Sequence, residues 1–367
     1  MMMRCNCQKL FSRFAWIFCL LVGLGPICAQ VQGQTKHPQV NVLLLVRGKW
    51  DVDKTLARQL AEDNIHFVTA RLADPLSPGM IRQFHSVIIA DYEGSRVEYF
   101  LDQFVKEYQD IKQNLQVIQD YVHDGGSLFF TPYSASLLGA PAISQALEPY
   151  GLTVLPLQAR DDQHYYTRSR DENTISDDEY CWTTQIADHP ATRNVKQIVY
   201  PATMFRWDDM YSCPVIRMQD PAWTPLVTTM PTAVAARGKD YLNWTPIEKD
   251  PPVLAAVRDF GKGRVGFLTP SSYYTWQEPF SDPRRGWIRE SHTGRIDGSF
   301  MDKGIPGHPS DGRQLLVGML RYMAQPSREN QFGQYDQARL AQMDKPASVP
   351  VPSWLFKWDR KHGQKWF

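Results

Sequence analysis

Three stretches of this chain are almost wholly apolar and rich in branched or aromatic side chains: Val40 to Val46 (VNVLLLV), Ser86 to Ala90 (SVIIA) and Ser127 to Thr131 (SLFFT). A strand with one wet face alternates apolar and polar residues, whereas a strand without alternation is buried on both faces. Between these runs the apolar positions recur at helical spacing, first Leu56 and Leu60, then Phe104, Tyr108, Ile111, Leu115, Ile118 and Val122. A further strand is expected at Ile65 to Ala70, a short helix at Pro141 to Tyr150 and a fifth strand at Leu152 to Leu155. Strands that alternate with helices require crossover connections, so the pattern predicts an α/β fold: a mostly parallel sheet covered by helices on both sides.

The stretch Tyr121 to Gly139, YVHDGGSLFFTPYSASLLG, places a helix end, a Gly pair and a buried strand in succession. Ligands of such folds sit beyond the carboxyl ends of the strands. Thr131, Pro132, Tyr133 and Ser134 hold that position here, and Asp91 holds it after the SVIIA strand. Ser134 lies at a strand-to-helix bend, where a hydroxyl is either a nucleophile beside helix amides or a plain helix cap. A nucleophile needs a base, for which His189, His292 and His308 are the candidates, and Pro132 and Ser136 stand where a nucleophile elbow has glycines.

From Gln158 to Glu179 the text is charged and without period, which predicts a loop or irregular insertion. Asp161, Asp162, His164, Asp177, Asp178 and Glu179 match no calcium-loop spacing and read as a solvated acidic surface, with no metal implied. Strands are expected at Gln197 to Tyr200, Thr224 to Thr229 and Val253 to Val257. Asp259 to Leu268 (DFGKGRVGFL) is an antiparallel hairpin turning at Gly261 to Gly263, and the Gly-Lys-Gly lacks the context of a phosphate loop. Tyr273 to Pro309 is a long loop, and Arg313 to Met323 an amphipathic helix. Ser271, Tyr273, Trp276, Arg284, Arg285, Trp287 and Arg289, with Trp207 beside Asp208 and Asp209, suggest a rim that stacks sugar rings and grips acidic groups; alternatively the aromatics pack the loop onto the domain.

Arg4, Lys9 and Arg13 followed by an apolar core from Phe14 to Gly25 form an export signal over residues 1–29, too short to span a bilayer comfortably. Cys28 follows Ile27 rather than a small residue, which disfavours lipid attachment. Loss of the three basic leader residues takes the net charge from +1 to −2, leaving no electrostatic case for nucleic acid. A linker (30–38) precedes a domain over 39–325 with irregular insertions near 158–180 and 271–310; residues 326–367 form a Pro-containing linker and an aromatic, basic tail that docks on a partner protein or on its own domain. Cys181 and Cys213 remain after the leader, either as a disulfide or as two buried thiols. Asn243-Trp244-Thr245 fits a glycan acceptor. No cofactor is implied.

The helix ending YVHDGG, the text ADHPATRNV followed by QIVYP, and FGKGRVGFL, in that order, resemble the class I glutamine amidotransferase-like superfamily and its ThuA-like branch over roughly Val40 to Met323. The resemblance implies a flavodoxin-like three-layer sandwich. It also implies a catalytic cysteine after the Ser127 to Thr131 strand and a histidine after the GKGRV strand. This chain has Tyr133 and Ser134 at the first place and Ser271 and Ser272 at the second, so family-type chemistry is not expected. The sequence therefore points to an exported binding domain for a carbohydrate, another small ligand or an envelope partner, with hydrolysis through Ser134 as the alternative.

Overall fold

The computed structural model describes residues 37–46, 52, 54–90, 103–132, 139–168, 178–202, 204–205, 210–238, 244–276 and 300–334. The chain divides into two units, Met1–Pro38 and Gln39–Phe367, and the fold is that of the second. Strands β1 (Val40–Val46), β2 (Ile65–Arg71), β3 (Ser86–Ala90) and β4 (Ser127–Thr131) run parallel. Helices α1 (Lys54–Glu62), α2 (Pro78–Ile81) and α3 (Gln103–His123) lie between them in the chain. Helix α4 (Gly139–Leu147) then leads out of this sheet into β5 (Leu152–Arg160).

Three small antiparallel sheets follow. One joins β6 (Tyr165–Arg168), β7 (Asp178–Thr183) and β8 (Ile198–Pro201); another pairs β9 (Met204–Phe205) with β10 (Met210–Tyr211). The third takes β11 (Pro214–Met218), β5, β13 (Val234–Gly238) and β14 (Trp244–Glu248) in that order. The chain re-enters the main sheet through β12 (Thr224–Thr228), β15 (Val253–Phe260) and β16 (Gly263–Leu268), giving the seven-strand order β12-β15-β16-β4-β3-β1-β2. Two short helices, α5 (Ser272–Thr275) and α6 (Phe300–Lys303), precede the long α7 (Gly312–Glu329).

Because β16 is parallel to β4, the parallel strands read 2-1-3-4-16, which is the flavodoxin order with β16 as fifth strand. Side chains of β1 alternate between two cores, as a pleated strand requires: Val42 and Leu44 face the layer that contains Leu60 of α1 and Leu315, Leu316, Met319 and Leu320 of α7. Leu43 and Leu45 face Ile81 of α2, Ile111 and Ile118 of α3, and Ile143 of α4. All seven residues of β1 are buried, which explains the missing alternation in the sequence.

Three expectations change. Leu152–Leu155 is not the fifth parallel strand; β16 is, and β5 starts a separate antiparallel sheet. The charged segment from Gln158 is not a structureless insertion, since its described ends form β6 and β7. The helix expected to stop at Met323 runs through Pro326 to Glu329. Pro326 cannot donate to the carbonyl of Tyr322, and Arg264 Nη1 donates to that oxygen instead at 2.6 Å, so the proline leaves no orphan acceptor. The expected hairpin is present, with β15 and β16 paired from Ala255–Leu268 to Phe260–Gly263.

At the amino edge of the sheet, His85 joins four segments. Its Nδ1 accepts the Asn41 amide at 2.9 Å, and its carbonyl accepts from the hydroxyls of Ser127 (3.0 Å) and Ser327. Asn41 Nδ2 in turn donates to Gly333 O at 2.9 Å. Burial, and then the charge of Arg328, push the His85 imidazole down from 6.5 to about 4. Protonation at Nδ1 would turn its acceptor into a donor facing another N–H. The unfolded chain thus takes up this proton first, and stability contributed by neutral His85 is complete above pH 6.5 and lost as pH falls toward 4. Urea unfolding across this range is expected to show a loss of about 2–3 kcal/mol from this group, a slope that His85→Gln removes.

Candidate functional site

In the flavodoxin order the strands diverge between β1 and β3, and the residues just beyond them, 47–50 and Asp91, lie outside the described residues. The described part of the carboxyl edge lies beyond β4 and β16. Past β4 the chain continues as Pro132, and past β16 as Thr269, Pro270, Ser271 and Ser272. These two exits are tied by the Ser272 amide, which donates to Pro132 O at 2.7 Å. The Ser271 amide donates to Ser212 O at 2.8 Å and so attaches the segment before β11.

Beneath the edge is a layer of neutral polar groups. Thr131, Gln158, Ser212, Thr269, Ser271 and Ser272 are fully buried. Gln158 Oε1 accepts from the Cys213 amide at 3.1 Å, and its Nε2 donates to Pro201 O at 3.0 Å, so one side chain joins β5, β8 and the start of β11. Cys213 Sγ and Thr269 Oγ1 pair at 3.2 Å. Two hydroxyls at this edge are left over: Ser272 Oγ, and Thr229 Oγ1 at the end of β12, are buried without a hydrogen-bond partner among the described residues. A buried, unsatisfied hydroxyl costs about 1–3 kcal/mol.

The candidate residues from the sequence separate accordingly. Trp276 does not offer a face for a sugar. It is fully buried, its Nε1 donates to Thr131 Oγ1 at 2.9 Å, and its ring meets Phe129 edge-on at 6.3 Å and Phe67 at 5.9 Å. Ser271 is buried in the polar layer rather than at the surface. Tyr273 falls in α5. Asp91, Tyr133, Ser134, Trp207, Arg284, Arg285, Trp287 and Arg289 lie outside the described residues, as does His292. His189 stands near the amino edge of the sheet. Its ring packs edge-on to Tyr322 at 4.6 Å, and Tyr322 lies under Arg264 at the start of β16. With a rise of about 3.3 Å per residue, the length of β16 separates it from the carboxyl edge. His308 stacks on Trp182.

Of the two cysteine readings, separate buried thiols are what the structure contains. Cys181 Sγ donates to Asp161 O at 3.5 Å while Cys213 is engaged with Thr269, and burial pushes each thiol up to about 12. A nucleophilic cysteine needs an exposed, electropositive surrounding that favours thiolate, and both of these have the reverse. The acidic stretch is not simply a solvated surface: the Asp161 side chain is fully buried, and Glu179 pairs with Arg160 at 3.0 Å. Among the described residues no group of three or more His, Cys, Asp or Glu side chains is placed to hold a metal ion. No described helix is long and apolar enough to cross a membrane.

Sequence reasoning missed Gln158, Ser212 and Thr269, because each acts through pairing between segments far apart in the chain. The run Thr269, Ser271, Ser272 after the last strand was the available signal.

No protein-family model matches the chain, and no curated protein matches it. Solved structures similar to it include a putative ThuA-like protein from Bacteroides uniformis, at 10% identity and a TM-score of 0.38 over 76% of this chain and 96% of that one. A putative GMP synthase subunit from Thermoplasma acidophilum is similar at 9% identity and a TM-score of 0.37, over 80% and 98% of the two chains. A glutamine amidotransferase from Thermotoga maritima is similar at 14% identity and a TM-score of 0.36, over 79% and 100%. These are likenesses of shape at low identity, and the flavodoxin-like assignment stands on strand order and register.

Two outcomes follow from the geometry. Without reductant, the folded chain from Gln30 onward, which holds only Cys181 and Cys213, is expected to react slowly with a thiol reagent and to titrate two thiols once unfolded; a count of zero would show a disulfide. Trp276→Ala is expected to destabilise the domain by about 3–5 kcal/mol in chemical unfolding, the range for deleting a buried aromatic side chain, whereas an exposed ligand-stacking Trp would change stability little.

Proposed function

We propose that the chain is an exported binding domain on an amidotransferase-like scaffold, that it holds a neutral hydroxylated ligand of the carbohydrate class at the carboxyl edge of its main sheet, and that it lacks thiol-dependent glutamine hydrolysis. The observation that carries this reading is the Ser272 hydroxyl, buried at that edge without a partner among the described residues, beside other neutral hydroxyl and amide groups. A ligand hydroxyl that reached Ser272 would offset the cost of leaving it unpaired. The described groups of this layer carry no charge, so they favour a neutral partner over an ionic one. Against glutaminase chemistry stand the protonated, buried thiols and the absence of cysteine from the sequence that follows β4, which reads Pro132, Tyr133, Ser134. Export follows from the basic and apolar leader, and sequencing the secreted chain is expected to find Gln30 at its start.

Ser272→Ala tests the binding site directly. Removing an orphaned hydroxyl should leave the unliganded domain as stable as before or more so, by up to about 1–3 kcal/mol. The same change should weaken calorimetrically measured affinity for a neutral oligosaccharide about tenfold, equivalent to about 1.4 kcal/mol. Lower stability with unchanged affinity would refute the site, and ammonia release from glutamine would refute the chemistry.

A further inference from the structure

The candidate edge leaves unused a cluster at the junction of β5, β6 and β7. Asp161, just past β5, has a fully buried side chain. Its Oδ1 accepts the amides of Gln163 (2.9 Å) and His164 (3.2 Å), and its Oδ2 accepts from the Thr232 hydroxyl (2.7 Å) and lies 2.9 Å from His164 Nδ1. A carboxylate accepts only, so Nδ1 of neutral His164 carries the proton and Nε2 presents a lone pair. The amide and hydroxyl donors would hold Asp161 in its turn without any imidazole. The imidazole adds an oriented acceptor. His164 is 27% exposed, and its Nε2 has no partner among the described residues.

The His164 ring stands edge-on to the Trp182 indole, with centroids 5.7 Å apart, and the His308 ring lies flat on that indole at 3.6 Å and 20°. His308 is set in place by backbone rather than by its side chain. Ile305 and His308 exchange both amide-to-carbonyl bonds, at 2.9 and 2.8 Å, within a turn whose Gly304 has φ +78° and no room for a Cβ against the His308 carbonyl. Trp182 and His308 are both half-buried. The cluster thus combines flat ring surface, one oriented acceptor and a carboxylate with no Lys or Arg paired to it among the described residues.

We infer that Asp161, His164, Trp182 and His308 form a second binding site that takes a neutral sugar ring, with a ligand hydroxyl donating to His164 Nε2 and the C–H face of the ring resting on the imidazole–indole pair. The unpaired negative charge disfavours carboxylated or sulfated sugars, which sets this site apart from an arginine-rimmed one. Asp161 is a positioning residue, since it acts through His164. The inference rests on the reading of the chain as a carbohydrate binder and extends it to a second place on the domain.

The test is calorimetry of the mature chain with cellotetraose, maltotetraose and xylotetraose, each to about 10 mM, beyond the weakest affinity of interest. It is accompanied by the Cε1–H resonances of the histidines in NMR spectra. At least one neutral tetrasaccharide is expected to bind, to shift the His164 and His308 resonances, and to lose about tenfold in affinity in His164→Gln and in His308→Ala. His308→Ala keeps the backbone bonds of its turn, so it remains informative if His164→Gln does not fold. Binding that weakens in Ser272→Ala but is unchanged in His308→Ala, with both imidazole resonances unmoved, would overturn this site alone. No binding by any neutral tetrasaccharide would overturn the carbohydrate reading and this site with it.

Discussion

The main sheet depends on two backbone turns that touch. Helix α3 ends at His123 and the chain turns through Gly125 and Gly126 into β4; the β15–β16 hairpin turns through Gly261 to Gly263 directly against it. Lys262 donates its amide to His123 O at 2.9 Å, and Arg264 donates to Gly126 O at 3.2 Å. A Cβ at Gly263 would collide with the carbonyls of Gly126 and Val122, and Gly261 at φ +59° would place one 2.6 Å from His123 O. Backbone cannot yield as a flexible side chain can, so these glycines are required for the contact. The contact sets the register of β16 against β4, and that register carries Thr269 to Trp276 to the carboxyl edge where Pro132 and Thr131 receive them.

The opposite layer is fixed from the same hairpin. Arg264 leaves the start of β16 with its guanidinium 3.8 Å over the Tyr322 ring, bonds Asp259 at 2.9 Å and supplies the donor that Pro326 cannot. Helix α7 can therefore run past its proline and deliver Ser327 and Gly333 to His85 and Asn41. Phe332 then stacks on Tyr121 of α3 at 5.6 Å, so the end of α7 reaches across to the helices of the other face. One arginine links hairpin, helix and the histidine seam, and the neutral state of His85 is a consequence of how tightly that seam is closed.

Much of this fold was legible because burial on both faces erases alternation: β1, β3 and β4 announced themselves as apolar runs, and α3 and α7 as apolar stripes. The two glycine motifs were legible as turns, but nothing local says that they meet. Leu152–Leu155 has the composition of a parallel strand, and only the docking of the hairpin more than a hundred residues later decides that β16 takes the fifth place. Trp276 illustrates the same limit at the candidate site. An aromatic residue in a Trp- and Arg-rich stretch reads as a ligand platform, yet its indole nitrogen is bonded to Thr131 inside the core. Pairings such as Gln158 with Cys213, and Asp161 with Thr232, span segments that share no period, so their polar residues carried no signal of convergence.

The chemistry of the edge follows from what the packing leaves neutral. Closing β5, β8, β11 and β16 on one another buries Gln158, Cys213, Thr269 and Tyr200 together, and burial, the largest cause, raises the thiols and the Tyr200 phenol out of their ionising range. A layer that has excluded water in this way cannot supply a thiolate at neutral pH. It can supply directed hydroxyl and amide groups at little reorganisation cost, because their positions are already set by backbone. At the same edge this packing leaves the hydroxyls of Ser272 and Thr229 buried without a hydrogen-bond partner among the described residues, at a cost of about 1–3 kcal/mol each.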